Sequence, residues 1–251
     1  MEALFEDRMR LRGGQSRTCV SDLLFRGQSK ACWGLQTTLE RATNSPLSFR
    51  DYYRIMRAVQ PTVEPLTQSH WDLGAEDEID DSMPKPPPGY PFMAYLRHHG
   101  FPSPLLDWSR SHYIAAFFAF RRKPTSDSEH VALYAYLEYC GKGKTWGDHE
   151  AHLVGLGPTI STDLRHYHQQ SEYTICRKRV DGRYFYWNHE EALLQSDDEQ
   201  DLLIKYVMPA SERPKVLGRL FNMNIHAHSL FGDEDGLMEM LAYQEIERPA
   251  M

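Results

Sequence analysis

The one long apolar run of this chain, residues 113–120 (YIAAFFAF), is entered through a segment dense in polar groups and rigid turns. That segment, residues 96–109 (LRHHGFPSPLLDWS), carries two adjacent histidines, an Asp-Trp pair and Gly/Pro punctuation. A helix that is apolar on nearly all sides is buried. Polar groups delivered to its mouth must find partners, because an unpaired buried polar group destabilises a fold. The fold therefore has to bury a central helix with His98, His99, Asp107 and Trp108 at its entrance, and chemistry is expected there.

The chain has 251 residues, 41% hydrophobic and 25% charged, the ordinary balance of a globular domain. Its net charge of -7 leaves no global basic field to collect nucleic acid, and the run Arg177-Lys178-Arg179 is too short to change that. Non-specific nucleic-acid binding is excluded on this ground. Cys19, Cys32, Cys140 and Cys176 have no CxxC spacing and read as reduced structural thiols. The N-terminus is charged where a signal peptide needs an apolar stretch, and no run approaches a membrane span. The expected location is the cytoplasm, with no membrane partner.

Residues 23–25 read as a short strand feeding Arg26, with Gly27 permitting a sharp exit. Helices are expected over 34–42, over 49–59 (ending before Pro61) and over 91–98, where Pro91 suits a first turn. Between them, residues 70–89 pack Glu76, Asp77, Glu78, Asp80 and Asp81 ahead of Pro84, Pro86, Pro87 and Pro88, the composition of a mobile acidic loop. Gly100 stops the third helix, and Ser109 or Ser111 caps the apolar one. Residues 131–139 are apolar on both alternating faces, as a central strand is. Short strands are expected over 152–154, 173–179, 184–187 and 202–207, and helices over 161–170, 211–223 and 233–246. The sum is a single α+β domain spanning 1–251, with a small mixed or antiparallel sheet flanked by helices.

Arg26 stands at a strand end before Gly27 and Gln28. Its planar fork of donors suits a phosphate or carboxylate, and Asp107 is its natural ion-pair partner. The two roles are compatible, since a pair can hold the guanidinium in place for a ligand. His98 and His99 point about 100 degrees apart on a helix, so one can face a pocket while the other packs. Adjacent histidines do not make a metal pair, and His149-Glu150-Ala151-His152 lacks the i, i+4 spacing of a zinc helix, so no metal site is expected. Trp108 reads as core filling, Asp107 as a structural charge that shapes the site. Hydrolase-elbow, Rossmann and P-loop motifs are absent.

The pattern FRGQ…WxLxxxLxR, set by Phe25, Arg26, Gly27, Gln28, Trp33, Leu35, Leu39 and Arg41, resembles the FRG domain family. HHGFPSPLLDWS and AAFFAF continue the resemblance, as do Arg165, Gln169, Tyr173, Leu230, Phe231, Gly236 and Leu237, over about residues 20–240. The family implies no agreed chemistry. The Phe-Arg-Gly exit is also similar to that of ADP-ribosyltransferases, in which such an arginine grips the NAD phosphate or ribose and a Gln/Glu-x-Glu carboxylate stabilises the cationic sugar. Here Gln170-Ser171-Glu172 has that form, whereas the Ser-Thr-Ser element usual between the two is absent. These resemblances imply binding of a nucleotide or other phosphorylated ligand, with Gly27, Gln28, Asp107 and Trp108 around Arg26. Two classes stay open. One is an NAD-using enzyme of bacterial defence or stress, with Arg26, His98, His99 and Glu172 in its site. The other is a non-catalytic ligand-sensing or protein-interaction module.

Overall fold

The computed structural model describes residues 22–76, 79, 86–126, 129–138, 150–157, 160, 162–195 and 201–248. Its strands are β1 (Leu24–Gln28), β2 (Leu106–Ser109), β3 (His130–Glu138), β4 (His152–Gly155), β5 (Ser171–Val180), β6 (Arg183–Tyr186) and β7 (Asp201–Pro209). They form one sheet in the order β4-β5-β2-β1-β3-β7, with β6 pairing the far half of β5. Every pairing is antiparallel. The architecture is α+β. β3 pairs with β1 on one side and β7 on the other, and all of it beyond His130 is buried. Its alternation serves two cores: Leu133, Ala135 and Leu137 pack on one side of the sheet with Phe25, while Ala132, Tyr134 and Tyr136 pack on the other with Leu24 and Trp108.

The helices are α1 (Thr38–Ala42), α2 (Phe49–Thr67), α3 (Tyr90–His98), α4 (His112–Phe120), α5 (Leu164–His168), α6 (His189–Gln195), α7 (Arg213–Asn222), α8 (Ala227–Phe231) and α9 (Glu234–Ala242). The apolar run becomes α4, capped by the Ser111 hydroxyl, which accepts from the Ile114 amide. Its buried residues include Ile114, Ala115, Ala116, Phe117, Ala119 and Phe120. Among the described residues, no helix is long and apolar enough to cross a membrane.

Four expectations need correction. α2 does not end before Pro61 but runs through Pro61 and Pro65 to Thr67. A proline removes the bond to the carbonyl four residues back; for Pro61 that carbonyl belongs to exposed Arg57, where water can take its place. Residues 106–109, 189–195 and 227–231 form elements where none was read, being too short for a periodic signal. The flanks of the acidic segment are core rather than loose chain. Trp71, Leu73 and Ile79 are buried, and Trp71 packs on Phe92 and Tyr95 of α3 with ring centroids 4.9 and 4.7 Å away. Residues 77–78 and 80–85 of that segment lie outside the described residues.

Gly27 is the fourth. β1 continues through it to Gln28, so it makes no sharp exit. Glycine is required there because α4 crosses β1 at contact distance: a Cβ would lie 1.9 Å from the Ala115 carbonyl oxygen and 2.5 Å from the Ala119 nitrogen. Both atoms are helix backbone and cannot swing away. Gly27→Ala is expected to force α4 off the sheet and to destabilise by about 3 kcal/mol, the upper end of overpacking costs. Chemical denaturation of the two proteins measures it, and a loss under about 1 kcal/mol would mean that α4 can shift without penalty.

Candidate functional site

β1 and β2 share a single registered pair, Phe25↔Ser109, and part beyond it. A cavity of about 660 Å³ opens in that wedge. Arg26, Gly27 and Gln28 line it from β1; Asp107, Trp108 and Ser109 line it from β2; Arg97 and His98 do so from the end of α3.

Asp107 is the hinge of this arrangement. Its Oδ2 pairs closely with Arg97 Nη2 and lies 3.6 Å from Arg26 Nη1, so its tighter partner is Arg97 rather than Arg26. Arg26 Nη1 also donates to the Asp107 carbonyl at 2.7 Å. The carboxylate is held below its ordinary pKa: desolvation works against ionisation, but Arg97 and Arg26 outweigh it. Burial lowers the Arg26 guanidinium to about 10, opposed by Asp107 and assisted by Arg97 and Arg41, so it remains charged at neutral pH. Arg26 Nε, Arg97 Nε and Asp107 Oδ1 are buried without a hydrogen-bond partner among the described residues. Such atoms are costly to leave unpaired.

Further arginines complete the wall. Arg41 Nη1 donates to the Gln36 carbonyl at 2.7 Å. Arg165 Nη1 donates to the His98 carbonyl at 2.8 Å, while its Nη2 pairs with Asp233. Trp33, 44% exposed, and Phe231 add aromatic surface. Of the residues lining the cavity, four are arginines and only Asp107 is acidic. Arg26 and Arg97 share Asp107 and Arg165 has Asp233, so the four guanidiniums outnumber their carboxylates and leave a local positive field inside a chain of net charge -7.

His98 lines the cavity, yet both ring nitrogens are engaged internally. Nδ1 is 2.9 Å from Asp163 Oδ1, and Nε2 is 2.8 Å from the Tyr173 hydroxyl, itself 3.3 Å from His166 Nδ1. Asp163 is held well below the usual carboxylate range: desolvation opposes this, and hydrogen bonds from His98 and His99 prevail. His99 is not part of the lining; its ring packs on Tyr95 at 4.3 Å, with Nε2 3.4 Å from Asp163 Oδ2. Trp108 is core: it stacks on Tyr136 at 5.1 Å and donates to Thr174 Oγ1 at 2.9 Å. Gln28 Nε2 donates to the Gly34 carbonyl at 3.0 Å.

Glu172 stands apart. It pairs in register with Trp108 and shares that face of the sheet with Arg26, two strands away, but it is not among the lining residues. Its carboxyl is buried, 3.8 Å from Arg110 Nε, and Oε1 has no hydrogen-bond partner among the described residues. Burial, then Asp22, push its pKa up to about 7, with Arg110 opposing. No group of His, Cys, Asp and Glu able to hold a metal ion occurs among the described residues. Cys32 is exposed and lines the cavity, Cys176 is buried, and Cys19 and Cys140 lie outside the described residues.

The sequence reading missed Arg97, Arg41 and Arg165 as cavity residues and Asp163 as the partner of both histidines. Arg41 and Arg165 belong to the quoted motif pattern, and that was the available signal. Arg97 offered none, because a surface arginine near a helix C-terminus looks the same in sequence.

Fold and site together define an α+β protein with an arginine-lined cavity in a split of its antiparallel sheet. The FRG domain family model matches residues 21–128, so this part of the chain is an FRG domain. It contains β1, β2 and α1 to α4, and hence Arg26, Arg41, Arg97 and Asp107. Comparison with curated proteins and with solved structures found no match.

Two outcomes are expected. Asp107→Asn leaves two guanidiniums facing each other and should destabilise by roughly 2–3 kcal/mol, short of a fully buried pair because the carboxylate is 29% exposed. A change below about 0.5 kcal/mol by denaturant titration would make the triad energetically idle. For Glu172, a carboxyl raised from 4.5 to about 7 keeps its proton in the folded state while the unfolded chain releases it. Stability then falls as pH rises between those values and levels above them. Glu172→Gln should remove this slope, gaining on the wild type in melting temperature at pH 8 relative to pH 5. An equal difference at both pH values would show that the carboxyl is not raised.

Proposed function

We propose that this protein binds a phosphate-bearing small molecule, a nucleotide or another phosphorylated ligand, in the wedge between β1 and β2, with Arg26 as the oriented clamp. The observation that carries this reading is the cavity wall itself, with four arginines to one carboxylate. Arginine presents parallel donors to phosphate oxygens, and these charge-assisted bonds are among the strongest available. The volume of about 660 Å³ lies within the range of small-molecule sites. The Asp107 bridge holds Arg26 and Arg97 in place before a ligand arrives, which lowers the ordering cost of binding.

An NAD-using transfer reaction would ask Glu172 to reach the ligand's sugar from the same face of the sheet, past Trp108. A ligand-sensing module without turnover is the second reading, favoured by two observations. Both nitrogens of His98 are engaged within the protein, and Glu172 stands off the cavity.

Arg26→Lys tests the clamp. Lysine keeps the charge and loses the fork, so phosphate affinity should fall about tenfold or more, while stability falls by less than about 1.5 kcal/mol because the pair with Asp107 survives in weakened form. Calorimetry with inorganic pyrophosphate and a thermal melt, run on both proteins, measure the two effects. A lower melting temperature with unchanged affinity would make Arg26 purely structural and end the proposal. Incubation with NAD followed by mass spectrometry separates the two classes, since a module returns NAD intact.

A further inference from the structure

A second cavity, of about 600 Å³, lies between α4, α7 and the turn Tyr243–Glu247 that follows α9. Its character differs from that of the arginine cavity. Phe117 and Phe118 enter from α4, with Phe221 and Tyr243 on the other elements, their two rings 5.8 Å apart. Three of its four lysine and arginine side chains are paired internally. Arg121 grips Glu239 through Nε at 2.7 Å and Nη2 at 2.5 Å; Arg213 and Lys123 share Glu247 at 2.7 and 3.2 Å. What remains is aromatic surface, Arg122 and Ser29 on the side toward the arginine cavity, and one buried hydroxyl. The Tyr243 hydroxyl is buried with no hydrogen-bond partner among the described residues. A buried hydroxyl in that condition carries a desolvation cost that a ligand atom would relieve.

The two cavities are neighbours. Ser29 and Phe118 line both, and Arg122 of the second lies 6.0 Å over the ring of Trp33 of the first. One side is therefore cationic and the other largely aromatic, with a buried unpaired hydroxyl at Tyr243. A ligand matching both needs phosphates at one end and a flat ring with polar edge atoms at the other.

We propose that the two cavities form one bipartite site for a nucleoside polyphosphate, with the phosphates in the arginine wedge and the base in the aromatic cavity, its edge bonded to the Tyr243 hydroxyl. The proposal rests on the phosphate reading above and adds the base subsite and the ligand class. Stacking on aromatic side chains tolerates any base. One hydroxyl, able to donate or accept, does not select among them.

The test uses the full chain and calorimetry with five probes: pyrophosphate, ATP, GTP, CTP and UTP. At least one nucleotide should bind the wild type about tenfold or more tightly than pyrophosphate, which lacks the base. Tyr243→Phe should cost that nucleotide about two- to tenfold, the worth of one hydrogen bond, and leave pyrophosphate unchanged. Gly218→Leu grows from α7 toward the Tyr243 hydroxyl, the nearest atom to an added Cβ at 3.8 Å. It crowds that hydroxyl without a clash at Cβ and should cost the nucleotide more than Tyr243→Phe does, again sparing pyrophosphate. Thermal melts confirm that both variants fold. If no nucleotide outbinds pyrophosphate, or if both variants bind the nucleotide like the wild type, the base subsite is overturned. Loss of pyrophosphate binding in Arg26→Lys alongside that result leaves the phosphate reading standing. Pyrophosphate binding that survives Arg26→Lys overturns the phosphate reading, and absence of binding by all five probes overturns both.

Discussion

A carboxylate between two guanidiniums, at the point where two central strands part, holds this structure's working parts in register. Asp107 is on β2, Arg26 on β1 and Arg97 on α3, so one acidic group ties the end of α3 and the strand ten residues after it to a strand some eighty residues earlier. Burying these charges is expensive, and Coulomb attraction offsets the cost only where the geometry is close. Here the offset is incomplete. Arg26 Nε, Arg97 Nε and Asp107 Oδ1 lack hydrogen-bond partners among the described residues. A network carrying that many unmet groups is poorly explained by stability alone, since an apolar substitute would serve the fold as well. Its composition makes sense as a surface arranged to meet another charged molecule.

The rest of the fold fixes where that network stands. Gly27 lets α4 lie directly on β1, which sets the strand bearing Arg26 against a helix buried along most of its length. On the other side, Asp163, His98, Tyr173 and His166 form a continuous set of contacts from α5 through α3 to β5. These contacts pin the C-terminal turn of α3, and with it Arg97. His98 thus lines the cavity with both ring nitrogens engaged within the protein, while His99 lies outside the lining. Support of this kind matters, because a phosphate clamp works only if its donors are in place beforehand.

Much of the frame was legible in the amino-acid sequence. Residues 113–120 announced a buried helix, residues 131–139 a central strand, and the polar entrance segment located the site. What escaped did so for physical reasons. β2 has four residues, too few for alternation to show, and its pairing with β5 is a long-range choice that local pattern does not encode. α2 continues through two prolines because its outer face is solvated, and exposure cannot be read from propensity. The arginine wall escaped for a different reason. Arg41, Arg97 and Arg165 are unremarkable singly, and their meaning arises only when α1, α3 and α5 bring them to one cavity. Glu172 shows the converse: Gln170-Ser171-Glu172 matched a pattern, and the fold set its carboxyl beside Arg110 and Asp22 instead of among the arginines.

Charge distribution gives the arrangement its selectivity. A chain of net charge -7 repels anions at long range, and only a concentrated positive cavity can reverse the potential locally. Beyond about a Debye length, roughly 8–10 Å at physiological salt, exposed charges are screened, so the acidic exterior does little to a ligand already inside the wedge. A long polyanion would have to lie along that acidic exterior as well as enter the cavity, whereas a compact anion would meet a lining in which four arginines outnumber one carboxylate. A site of the proposed kind would therefore favour a small phosphate ester over nucleic acid. Arginine suits this role better than lysine, being weakly hydrated and always charged, so it retains both charge and direction in a partly desolvated wall. In Arg26 that property is tested hardest, since burial has lowered its pKa to about 10 and the group is still protonated at neutral pH.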